Sequence, residues 1–138
     1  MAFLTAQNVI DRLGSTVALE LTTDSGSTPD STLIAAIIAE VEGRLMTYVR
    51  QRTQETISQA TYPNTWAACA GAEMSMVGYQ LHLRRPPVPE DWTKANDEAV
   101  AWLTALAEGK VPLPDASLNA GADWGSQAQN AAKIREDW

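Results

Sequence analysis

Residues 31–52, STLIAAIIAEVEGRLMTYVRQR, decide the fold. Leu33, Ile34, Ile37, Ile38, Val41, Leu45, Tyr48 and Val49 recur at steps of three and four, which predicts one long helix with a continuous apolar face. Glu40 stands four residues before Arg44, the favourable order for a charge pair on a solvated helix surface, so the pair reads as local support. The preceding stretch, TTDSGSTPD at 22–30, has the composition of a loop.

Working outward, helices are predicted on both sides. Thr5 is a candidate N-cap, Leu4 and Val9 occupy the positions of a hydrophobic staple, and Gly14 follows Leu13 as a terminator, which sets a first helix at about 6–13. Ser15 is a candidate cap for a short helical turn near 15–21 that carries Val17, Leu19 and Leu21. Beyond the loop at TYPN, a helix at about 65–83 shows Trp66, Ala70, Met74, Val77 and Leu81 at helical spacing. Its many small residues, with Gly71 and Gly78 among them, suggest a central position and the close approach of another backbone. Cys69 and His82 lie on this helix and read as packed residues. The prolines of PPVP, 86–89, end the helix and hold an extended elbow. Trp92, Ala95, Ala99, Trp102 and Leu106 then mark a helix at about 90–108, with Glu90 and Asp91 at its positive end and Gly109 after its last turn.

KVPLP, 110–114, can only be extended and is expected to lie along a surface as an arm. From Asp115 onward the composition turns linker-like, with a weak helix at about 126–136, too short to persist alone. Trp124, Ile134 and Trp138 are apolar anchors on a segment that cannot order itself. The expected organisation is therefore all-α: a helical domain over 1–114 with its arm, and a flexible or partner-ordered tail over 115–138.

Composition narrows the function. A chain of 138 residues is one domain. No apolar run reaches the ~18–20 residues of a bilayer crossing, and the N-terminus lacks a basic leader and a cleavage site, so synthesis in the cytosol is expected. A formal charge of -7 works against tight binding of duplex DNA, and Arg84-Arg85 reads as an ordinary basic helix end. One cysteine and one histidine rule out an internal disulfide and leave no legible nucleophile, base and acid, so no enzyme and no cofactor is expected. Asp24 and Asp30, amid uncharged neighbours, make a poor calcium cage, and no metal is expected.

FLTAQNVIDRLG, ELTTDSGSTPDSTLIAAIIAEVEGRLMTYVRQR, AACAGAEMSMVGYQLHLRR, NDEAVAWLTALAEGKVPLP and the distal AKIREDW, in that order, resemble the small Mu-like prophage head-tail connector family. The resemblance implies an α-helical adaptor that forms a ring, a dodecamer, in the virion neck, after assembly in the host cytoplasm. Its partners would be the portal protein, a tail-side neck or stopper protein and neighbouring copies, with DNA passing through the lumen without specific binding. On this reading Trp124, Ile134, Trp138, Val111 and Leu113 are the partner-binding residues, because ring subunits need complementary faces and reaching segments; the alternative is a tail that folds back onto its own domain and covers an apolar patch. Glu40, Glu42, Glu55 and the acidic residues of 90–98 are candidates for a lumen wall or for a solvated outer face. Two other classes compete: a cytosolic helical binding or scaffold protein, and a helix-turn-helix regulator, which would need the basic recognition helix that this chain lacks.

Overall fold

The computed structural model describes residues 3–24, 26–116 and 118. Five helices follow one another: α1 Ala6–Leu13, α2 Ser15–Thr22, α3 Ser31–Arg52, α4 Pro63–Leu83 and α5 Glu90–Ala107. Among the described residues there is no strand. Helices α3, α4 and α5 pack each against the other two, and the α1–α2 pair covers the bundle, α1 on α3 and α4 and α2 on α4.

The helix ends show why the segments stop where they do. Thr5 accepts a hydrogen bond from the Asn8 amide, and Asn8 reciprocates on the Thr5 amide, a complete capping box. Gly14, at φ 91°, ends α1 and starts α2 in a conformation that suits a residue without a Cβ. The expected turn near 15–21 is thus a full two-turn helix, and Ser15 is its first residue rather than its cap. At the far end of α5, Gly109 (φ 77°) donates to the Leu106 carbonyl and Lys110 to that of Ala105, the paired bonds of a Schellman ending.

The long helix α3 has the expected bounds and buries Ile34, Ile38, Val41, Leu45 and Val49. Asp30 caps it by accepting from the Leu33 amide at 3.1 Å. The Glu40–Arg44 pair does not form; among the described residues the ion pairs are Arg85–Asp24 and Lys110–Glu108. Helix α4 starts two residues earlier than predicted, with Pro63 in the first turn where its missing N–H costs nothing. Its core face is also rotated from the predicted stripe. Cys69, Ala72, Met76, Val77 and Leu81 are buried, while Trp66, Ala70 and Met74 are half-buried against the core. Both assignments have helical spacing, and small residues on every side of α4 give the pattern little contrast. Contact with four other helices makes α4 central, as its composition suggested.

Close approach at the glycines is also corrected. Gly78 meets a side chain, not a backbone: a Cβ there would lie 2.1 Å from Trp92 Cζ3. Gly71 has nothing within 4 Å of such an atom. The Trp92 indole lies in the notch at Gly78, with the His82 ring 5.4 Å away in a stacked arrangement and the Arg12 guanidinium 5.0 Å from its centroid. One aromatic side chain thereby joins α1, α4 and α5.

Candidate functional site

The surface under test is the arm and the tail that it carries. The arm is part of the core, because Leu113 is 2% exposed and Leu118 is 1% exposed, both within the same apolar cluster as α3, α4 and α5. Leu113 as a free partner contact is therefore corrected: the domain's own interior occupies it. Val111 is half-buried against that cluster, and its carbonyl accepts from Arg52 Nη2 at 3.4 Å. Trp124, Ile134 and Trp138 lie outside the described residues.

The seat of the arm comes from a defect in α4. Tyr62, at the N-cap position, provides no side-chain cap, so the first-turn amides need acceptors from elsewhere. Asp115 provides one. Its Oδ2 accepts from the Thr65 amide at 2.7 Å, and its own amide donates to Thr65 Oγ1 at 3.3 Å. This is the reciprocal pattern of a capping box, closed across fifty residues of chain. The hydrogen bond from Thr65 holds the Asp115 carboxyl below its usual range, and the helix dipole favours the same charged form. Beyond residue 114, Asp115 and Leu118 also pack on the helical domain.

Arg84 and Arg85 do more than end α4. Arg84 donates to the Leu21 carbonyl, and Arg85 donates to that of Glu20 at 3.2 Å and pairs with Asp24. Two cations thereby satisfy the orphan carbonyls at the C-terminus of α2. Together with Val17, His82 and Pro87, Arg85 lines an open cleft of about 550 Å³ between α2 and the proline elbow. Asp24 and Asp30, the two loop carboxylates, have separate roles as the Arg85 partner and the α3 cap. Arg50, at the end of α3, donates to the carbonyls of Gln54 and Glu55 and fixes the following loop.

Cys69 is fully buried, and desolvation pushes its thiol up to about 12. His82 is 7% exposed, with Nδ1 2.8 Å from the Gly78 carbonyl. Glu73 was not singled out by the sequence reading, although it is the one acid within an otherwise uncharged helix of 21 residues, a signal present in the chain. Its side chain has no exposure, and neither carboxylate oxygen has a hydrogen-bond partner. Burial, with a smaller contribution from Glu42, pushes its carboxyl up to about 8, so at neutral pH it is mostly protonated. Glu42 is half-buried and accepts from the Phe3 amide at 3.2 Å. It thereby ties the N-terminal segment at Phe3 to α3. Phe3 itself packs on Trp66, with ring centroids 4.6 Å apart. Glu40 and Glu55 are exposed.

Among the described residues no helix is long and apolar enough to cross a membrane, and no three His, Cys, Asp or Glu side chains gather as a metal site. The arrangement is that of an all-helical domain with the arm at 110–118 packed onto it through Leu113, Asp115 and Leu118. The family described as Bacteriophage Mu, Gp36 matches this chain over residues 3–132, and the chain belongs to that family. It is accordingly a Mu-like phage protein. No curated protein matches it.

Proposed function

We propose that this protein is a structural head-to-tail connector, one copy of a ring in the virion neck that sits between the portal and a tail-side neck protein. Membership of a Mu phage family supports a phage role. The observation that carries the connector reading is the clamped arm. Asp115 and Leu118 are held on the domain, and the sequence beyond them, 119–138, carries Trp124, Ile134 and Trp138, three large apolar side chains in a polar, alanine-rich stretch. Such anchors suit docking to a neighbouring copy or to the portal. The net charge of -7 suits a wall past which DNA moves without being gripped.

The test is docking of the full chain to portal rings from the same genome, followed by light scattering and class averages. A triple variant, Trp124→Ala with Ile134→Ala and Trp138→Ala, runs beside it. Stoichiometric docking of the wild type, weakened at least tenfold in the variant, is expected. Absence of docking by the wild type overturns the proposal.

A further inference from the structure

The cleft of about 550 Å³ between α2 and the proline elbow has the size of a small-ligand site, and none of its lining residues belongs to the arm. Its donors are already spent. Arg85 lines the cleft, but its Nε donates to the Glu20 carbonyl and its guanidinium pairs with Asp24. Arg84, outside the lining, is spent in the same way on the Leu21 carbonyl. What remains is acceptor. Glu20 lines the cleft with an exposed carboxylate that makes no hydrogen bond or ion pair among the described residues. Asp24 meets Arg85 through Oδ1 and is otherwise open to solvent, its side chain 84% exposed.

His82 supplies a third acceptor from below. It is buried, it lines the cleft, and its Nδ1 lies 2.8 Å from the Gly78 carbonyl. A carbonyl only accepts, so Nδ1 carries the proton and, in the neutral ring, Nε2 keeps a lone pair. No group among the described residues donates to it. A buried acceptor without a partner costs free energy until a donor arrives. Beside these groups Val17, Pro87 and Pro89 form apolar walls.

We infer that this cleft receives the side chain of a lysine or arginine from a partner protein, with the aliphatic stem along Val17, Pro87 and Pro89 and the charged end donating to Glu20, Asp24 and His82 Nε2. Lysine and arginine fit because both join an apolar stem to a head that only donates. The lining carries two acids against one cation, and the whole chain carries -7, so a basic partner is complementary and a second copy of this chain is not. The inference goes beyond the connector reading and involves neither the arm nor the tail.

The test is titration of the full-length protein with Nα-acetyl-lysine methylamide and Nα-acetyl-arginine methylamide, followed by amide chemical shifts. The norleucine analogue, which has an apolar chain without the charge, and the glutamate analogue run beside them. Saturable shifts at residues 20–24 and 82–89 are expected with the two basic probes, and binding at least tenfold weaker with norleucine. Glu20→Gln should weaken binding about threefold or more, whereas Asp97→Asn, which removes an exposed acid outside the cleft, should leave it unchanged. His82→Phe keeps a ring and removes Nε2, and it should weaken binding as well; if that variant does not fold, Glu20→Gln alone decides. Shifts that spread over the acidic surface without saturation overturn the inference, as does equal binding of norleucine or tighter binding of the glutamate analogue. Self-association of the free protein that Glu20→Gln abolishes also overturns it, because the occupant is then a second copy. No portal enters this readout, so a failure here is distinct from failure of the connector role.

Discussion

Gly78→Ala tests the keystone of the packing. The added Cβ would lie 2.1, 2.5 and 2.6 Å from three carbons of the Trp92 ring, where carbon atoms in contact normally stay about 3.5–4.0 Å apart. The indole has to retreat by roughly 1.5 Å, away from the His82 ring and the Arg12 guanidinium that flank it. Overpacking of this kind costs about 1–3 kcal/mol, and loss of the Arg12 contact adds about 0.5–1 kcal/mol. Alanine returns about 1 kcal/mol through helix propensity, so the net expectation is a loss of about 2 kcal/mol. Gly43→Ala in α3 is the matched control, because nothing lies within 4 Å of its added Cβ, and it should gain up to about 1 kcal/mol. In thermal unfolding the two variants should therefore differ by roughly 10 °C. Gly78→Ala with Trp92→Leu should recover part of the loss. Equal stability of Gly78→Ala and Gly43→Ala would refute the reasoning, since the notch would then carry no packing constraint.

Two further outcomes follow from the buried groups. Glu73 keeps its proton up to about 8 in the fold, against an ordinary value of 4.5, so the native state binds more protons between those values and stability declines as pH rises through that window. Urea midpoints at pH 6, 7.5 and 9 should fall in the wild type, and the decline should flatten in Glu73→Gln. Leu113→Ala should destabilise by about 2–5 kcal/mol in denaturant unfolding, the cost of a cavity at a buried leucine; a surface arm would lose almost nothing. Asp115→Ala should lower the hydrogen-exchange protection factors, rates taken relative to the unfolded chain at the same pH, in the first turn of α4, as acid should in the wild type: the Asp115 carboxyl is held below its usual range, so its contribution is present above that range and is lost as pH falls through the lowered value.

Period and punctuation in the chain determined the helices. The steps of three and four in 31–52, the Thr5 cap, the proline elbow and Gly109 each act within a turn or two, and the structure has its helices at those places. Contacts between residues far apart in the chain were decided by the tertiary structure alone. Asp115 reads as the start of a linker until the uncapped end of α4 is beside it, and Arg84-Arg85 reads as a basic helix end until the α2 carbonyls are within reach. Gly78 signals close approach, but the sequence cannot say that the visitor is the ring of Trp92. Glu73 is a lone acid in an uncharged helix, and only the packing of α3 and α4 shows that its oxygens are buried without a hydrogen-bond partner among the described residues. The physical reason is range: caps and periodicity are written in neighbouring residues, whereas burial and trans-capping depend on which distant segments the core brings together.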